Sequence, residues 1–265
     1  MHAFFFGEVA SQLYGVHHLP KSQQYRDTAV LFCPPLGREY MRTHRGLVRL
    51  AQRLAREGYH VLRFDYYATG DSAGEDGDGT IQQWTDDVRT AIQELRDLSG
   101  VERIIILGIR MGAALATLAA SESPIEGLLL WDPVIAGSTY LSAQHALTLR
   151  FHADLNRFPV CRSAEIEDGA EDMCGFRWSQ ALRDSLAKVE LLSLERVRTR
   201  RAEVMISGCE QEGRSLHAHF TRIGIPTGLN EVDELTGWNA LTGSGEAMML
   251  HNLSQRILQV VEAWQ

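Results

Sequence analysis

The chain lacks most of the features that would take it out of the ordinary soluble classes. No apolar stretch reaches the ~20 residues needed to span a bilayer. Met1 to Ala10 carries a short Phe4-Phe5-Phe6 run, but no basic region and no small-residue cleavage site. Neither a membrane partner nor export is therefore expected. Cysteine is scarce: Cys33, Cys161, Cys174 and Cys209 form no CxxC pair and have no histidine at metal-ligand spacing. That pattern implies free thiols in a reducing, cytoplasmic setting, with neither metal nor cofactor. Clustered positive charge is missing too. With 26 Lys and Arg against 34 Asp and Glu, the net charge of −8 excludes a nucleic-acid partner, whose phosphates demand basic patches. The densest basic group, Arg196, Arg198, Arg200 and Arg201, alternates with other residues and reads as a solvated connection before a strand.

What is present is a globular composition: 265 residues, 45% apolar and 23% charged, enough for one large α/β unit over 1–265. Short β-type runs recur at Ala29 to Phe32, His60 to Phe64, Arg103 to Leu107, Gly127 to Trp131, Ala202 to Ser207 and Gly228 to Val232. Several are continuously apolar, as strands buried on both faces of a parallel sheet must be. Between the first two, Leu47, Leu50, Ala51, Leu54 and Ala55 share one helical face, with Gly58 as a stop. Further helices are expected over Ile81 to Leu98, Met111 to Ala120 and His251 to Trp264. Strand and helix in alternation give βαβ crossovers. Phe4 to Phe6 and Leu13 to His18 have no helix between them and read as an antiparallel hairpin on the sheet edge.

From about 137 to 200 the rhythm breaks, and the segment is too long for a simple crossover. It contains a helical face with Leu182, Leu186 and Val189, and an acidic, turn-like stretch from Glu165 to Asp172. A cap over the carboxyl ends of the strands is expected, since open α/β sheets bind ligands there.

The run Leu107-Gly108-Ile109-Arg110-Met111-Gly112-Ala113 carries a buried strand into a Gly-x-x-x-Gly turn and an alanine-rich helix. Upstream lie Phe32-Cys33-Pro34-Pro35-Leu36-Gly37 and Arg63-Phe64-Asp65-Tyr66-Tyr67-Ala68-Thr69-Gly70-Asp71-Ser72. Trp84 and Asp87 come next, and Trp131-Asp132-Pro133 follows the turn. Together these motifs resemble the α/β-hydrolase superfamily across nearly the whole chain, in particular its serine-aminopeptidase-like branch and, within it, the exosortase-A-system-associated hydrolases. The resemblance implies an α/β-hydrolase fold: a mostly parallel eight-stranded sheet flanked by helices, with a helical cap. It also implies a G-x-S-x-G nucleophile elbow. Here the central residue is Arg110, as the resemblance implies for that subgroup, and a guanidinium has no lone pair to attack with.

Family order then places the acid at Glu210, with Glu212 as a substitute, and Trp238 where the histidine belongs. His251, His217 and His219 read as surface, capping or solvated helix residues. Ser72 reads as a turn residue bonded to local backbone, and Cys33 and Cys209 as small buried hydrophobes. The backbone N–H groups of Leu36 and Met111 correspond to the oxyanion hole, beside Gly37. Arg110 suits a carboxylate or phosphate ligand, or is neutralised by Glu39, Asp132 or Glu210. The expected function is binding of a small anionic or acyl-type molecule under the cap without serine-hydrolase activity. Two alternatives stay open: an enzyme with a non-standard Arg/carboxylate site, and an interaction protein whose cap docks on a partner. The sequence leaves a homo-oligomer possible.

Overall fold

A computed structural model describes residues 1–22, 25–155, 169–234, 236–238, 248 and 250–265. The apolar runs form an eight-stranded sheet of β1 (His2–Phe6), β2 (Leu13–His18), β3 (Thr28–Cys33), β4 (His60–Phe64), β5 (Arg103–Ile109), β6 (Ile125–Trp131), β9 (Thr199–Ile206) and β10 (Thr227–Glu231). Their order is β1-β2-β4-β3-β5-β6-β9-β10. From β4 to β10 every pairing is parallel, while β1 and β2 are antiparallel at one edge, as the helix-free spacing of the first two runs requires. The expected α/β-hydrolase fold is the one observed.

Helices cover both faces, which is why β3, β5 and β6 are apolar almost throughout. On one face, α2 (Ile81–Ser99) and α3 (Met111–Glu122) bury Val88, Ala91, Leu95 and Leu115 against Leu31, Ile104 and Ile106. On the other, α1 (Gly37–Arg56) and α7 (His251–Ala263) bury Leu47, Leu50, Leu54 and Leu253 against Val30, Ile105 and Leu107. Full burial of each such Val, Leu or Ile side chain is worth about 1.5–3 kcal/mol. Helix ends follow local chemistry. The Thr80 hydroxyl accepts from Gln83 N at 3.2 Å to start α2, and the chain leaves that helix through Gly100 in the left-handed region.

Between β6 and β9 lie α4 (Gly137–Leu155), a hairpin of β7 (Glu171–Met173) and β8 (Phe176–Trp178), and α5 (Gln180–Ala187). The hairpin was not legible as strands. Its three-residue arms are too short to show alternation, and the acidic stretch from 165 to 168 lies outside the described residues. Leu182 and Leu186 are buried on α5, and Val189 packs just beyond its end. One expectation is corrected. Arg200 and Arg201 are not part of a solvated connection but belong to β9, which begins at Thr199 paired with Ile125. Glu126, buried near the start of β6, pairs with the half-buried Arg201 at 3.1 Å and with Arg200, which stays exposed, at 3.7 Å. Among the described residues, no helix is long and apolar enough to cross a membrane.

Candidate functional site

The site grows out of the turn between β5 and α3, where the two glycines answer to contact. A Cβ on Gly108 would meet Ala113 Cα at 2.5 Å, and one on Gly112 would lie 2.2 Å from the Cys33 carbonyl oxygen. Strand, helix and the chain after β3 can meet only with glycine at both places. Arg110, between them, is held at φ 54°, ψ −120°, a conformation that costs a non-glycine residue about 1–3 kcal/mol. Its backbone is pinned: Arg110 N donates to Trp131 O at 3.0 Å, and its carbonyl accepts from Ala113 N at 3.0 Å and Val134 N at 3.2 Å.

The Arg110 side chain is buried, and its charge is met inside the protein. Nε donates to Glu39 Oε1 at 3.2 Å, while Nη1 donates to the Asp132 carbonyl at 2.9 Å and to Cys209 Sγ at 2.8 Å. The guanidinium carbon lies 5.2 Å from the centre of the Trp238 ring and 5.8 Å from that of Tyr140. Nη2 has no hydrogen-bond partner among the described residues. Burial opposes the positive charge, but Glu39 outweighs it, and the guanidinium is held above its ordinary pKa. Glu39 stands in the first turn of α1, where free backbone N–H groups favour a carboxylate. Its second oxygen accepts from Tyr140 Oη at 3.2 Å. Burial raises its pKa, and Arg110 opposes that shift.

Asp132 is wholly buried, at φ 43°. Its Oδ1 accepts from the backbone N–H of Ser207 at 2.8 Å, Gly208 at 3.1 Å and Cys209 at 3.2 Å. Oδ2 accepts from Gly208 N at 3.1 Å and from Trp238 Nε1 at 2.7 Å. The carboxylate thus ties the turn after β9 to Trp238, which also packs edge-on against Trp131 at 5.1 Å.

The structure therefore brings Arg110, Glu39, Asp132 and Trp238 together. Leu36 and Gly37, at the start of α1, and Met111, at the start of α3, flank them. It does not bring in Glu210. That residue opens α6 (Glu210–Arg222), is exposed, and pairs with Arg214 at 3.0 Å. The correction has a local cause: the amides before Glu210 turn inward to Asp132, so its own side chain leaves on the outer face of the helix. His251 contacts Gln255 on the surface and His217 the Thr227 carbonyl; His219 is not solvated as expected but buried, bonded to the Leu194 carbonyl, and all three lie away from Arg110. Ser72 donates to Asp65 O at 2.6 Å and accepts from Tyr14 N at 2.9 Å, a backbone role. Burial raises the Cys33 thiol, and it pushes Cys209 up to about 11 despite the nearby Arg110. Two participants were not expected: Tyr140, an aromatic on α4 with no motif around it, and the Cys209 sulfur as acceptor for Arg110.

Arg110 also lines a cleft of about 290 Å³ between α4 and α6, with apolar walls from Val134, Ile135, Tyr140 and Ala143 and with Glu212 on the α6 side. Among the described residues, no group of three or more His, Cys, Asp or Glu is placed to hold a metal ion.

Residues 26–229 match the family described as serine aminopeptidase, S33. No curated protein matches the chain. Among solved structures it is similar to Est1E from Butyrivibrio proteoclasticus with ferulic acid bound, at 13% identity and TM-score 0.69 over 99% of each chain. It is also similar to a Pyrococcus furiosus esterase at 17% identity and TM-score 0.65, over 99% of this chain and 90% of that one. Mouse alpha/beta hydrolase domain-containing protein 10 matches at 14% identity and TM-score 0.64 over 100% of both chains. At these identities the likeness is one of fold.

Proposed function

The chain belongs to the serine aminopeptidase S33 family, and from that premise we propose that its Arg110 site binds a small acyl-type molecule without acting as a serine hydrolase. The observation that carries this is the Trp238 Nε1 to Asp132 Oδ2 contact of 2.7 Å, beside a guanidinium 5.2 Å from the indole ring. Arg110, Trp238 and Asp132 correspond in space to nucleophile, base and acid. In that reading the acid follows β6, not β9. An indole only donates, so it takes no proton, and a guanidinium offers no attacking pair.

Charge narrows the ligand. Arg110 is already matched by Glu39, Asp132 lies beneath it, and Glu212 lines the cleft. A free anion would meet more negative than positive charge. A neutral carbonyl needs only a donor, which Nη2 supplies, and Val134, Ile135 and Ala143 suit an aliphatic tail. The β6–β9 segment acts as the cap, contributing Tyr140 and Ala143. An Arg/carboxylate enzyme is the weaker reading, because Asp132 has its oxygens taken by five hydrogen bonds and Glu210 faces solvent.

Calorimetric titration with hexanamide and hexanoate tests the reading. The expected result is saturable binding of the amide, weak binding of the carboxylate, and loss of both in Ala143→Trp, which fills the cleft from α4. No amide binding, or binding indifferent to that substitution, contradicts it.

A further inference from the structure

A separate cavity of about 50 Å³ lies beside the Leu36–Gly37 turn, between the loop after β4 and the β7–β8 hairpin. Five aromatic side chains line it: Tyr40, Tyr66, Trp84, Phe176 and Trp178. Three of them have their polar atoms committed elsewhere. Tyr66 Oη donates to Pro34 O at 3.1 Å, Trp84 Nε1 to Tyr67 O at 2.9 Å, and Tyr40 Oη to Asp65 Oδ1 at 2.8 Å. These three rings therefore bring no free donor to the cavity. The backbone makes room for them, since a Cβ on Gly79 would stand 2.5 Å from the Trp84 ring.

The remaining walls include two carboxylates, Asp65 and Asp76. Asp65 is buried, and both of its hydrogen-bond donors, Tyr40 Oη and Asp71 N at 3.1 Å, are neutral. Among the described residues it has no ion-pair partner. Asp76 is exposed and accepts from Arg177 N at 3.4 Å. Arg177 is exposed too and lines the cavity, its aliphatic stem packing over Gly77. Negative charge among aromatic rings favours an organic cation and repels an acid ligand. One water needs about 10–15 Å³ of such space, so the cavity suits a small head group.

We propose that this cavity binds the primary or singly methylated ammonium head of a small amine. Aromatic quadrupoles and the Asp65 and Asp76 carboxylates hold the charge, and the positive Arg177 limits the affinity. The cavity is separate from the Arg110 cleft, since neither Arg110 nor Glu39 lines it, although it shares the Leu36–Gly37 turn that flanks that site.

Titrating the full chain with methylammonium chloride against sodium chloride at matched ionic strength, read by tryptophan fluorescence and calorimetry, tests this. The expected result is saturation with Kd on the order of 1–10 mM, with no saturation by sodium chloride and weaker binding of tetramethylammonium, which has no N–H to donate to Asp65 or Asp76. Asp76→Asn should weaken binding roughly three- to fivefold, Phe176→Leu should weaken it as well, and Arg177→Gln should tighten it. Asp76 and Arg177 are exposed, and Phe176 is only partly buried, on the β7–β8 hairpin. Absence of saturation by methylammonium, an equal response to sodium chloride, or binding unaffected by both Asp76→Asn and Phe176→Leu would overturn the proposal.

Discussion

Strand β6 buries an acid at each end, and the two are satisfied in opposite ways. Near its start, Glu126 is approached by Arg103 at 3.3 Å, Arg201 at 3.1 Å and Arg200 at 3.7 Å. All three are long side chains that reach water, and Glu126 Oε1 still lacks a well-aligned hydrogen bond. Past its end, Asp132 is held by three backbone N–H groups and one indole, with its own backbone at φ 43°. Flexible partners can rearrange around a change, whereas backbone partners cannot. The first arrangement closes the amino end of the sheet. The second fixes a constellation, which is what a site requires.

The largest effect that would sharpen this contrast is Asp132→Ala. It strands the amides of Ser207, Gly208 and Cys209 together with the Trp238 indole, and should cost roughly 3–5 kcal/mol in urea unfolding. Glu126→Gln should cost only about 1 kcal/mol, because its arginines are 30% to 76% exposed and solvent screens them. Equal costs would break the comparison. Next comes Glu39→Leu, which leaves Arg110 buried without its carboxylate and should cost about 3 kcal/mol. Adding Arg110→Met should restore most of that loss, and a double variant no better than the single one would show that Glu39 does not neutralise Arg110.

How much of this was legible follows from what each residue depends on. The strands and the Gly108-x-x-x-Gly112 turn could be read because apolar runs and close approach leave marks in the sequence itself. Arg110 and Trp238 followed from family order, and Glu39 and Asp132 from nearness to the turn. Glu210, expected beside Arg110, stands outside that cluster and pairs with Arg214, because which side chain faces inward depends on where the amides of Gly208 and Cys209 point. Tyr140 left no trace, since an aromatic on an amphipathic helix looks the same whether it packs or donates to a buried carboxylate.

A smaller, pH-dependent effect should arise away from both ends of β6. His17 Nε2 and His60 Nδ1 lie 3.0 Å apart with stacked rings. Burial first, then His60, lowers the pKa of His17 from 6.5 to about 4. Burial and Arg63 do the same for His18. Both folded-state values fall below the unfolded one, so the folded state favours neutral rings. Their contribution is intact above pH 6.5 and is lost as pH falls from 6.5 towards 4. His17→Phe should flatten that part of the urea-midpoint profile. An unchanged slope would move the acid sensitivity back to the carboxylate clusters.

The most direct test of the central claim, that a charged guanidinium and an indole have replaced attack and proton transfer, is the intact mass of the native protein after exposure to excess fluorophosphonate. The account predicts an unmodified mass. A single phosphonyl adduct would contradict it, because some side chain in this fold would then be an activated nucleophile.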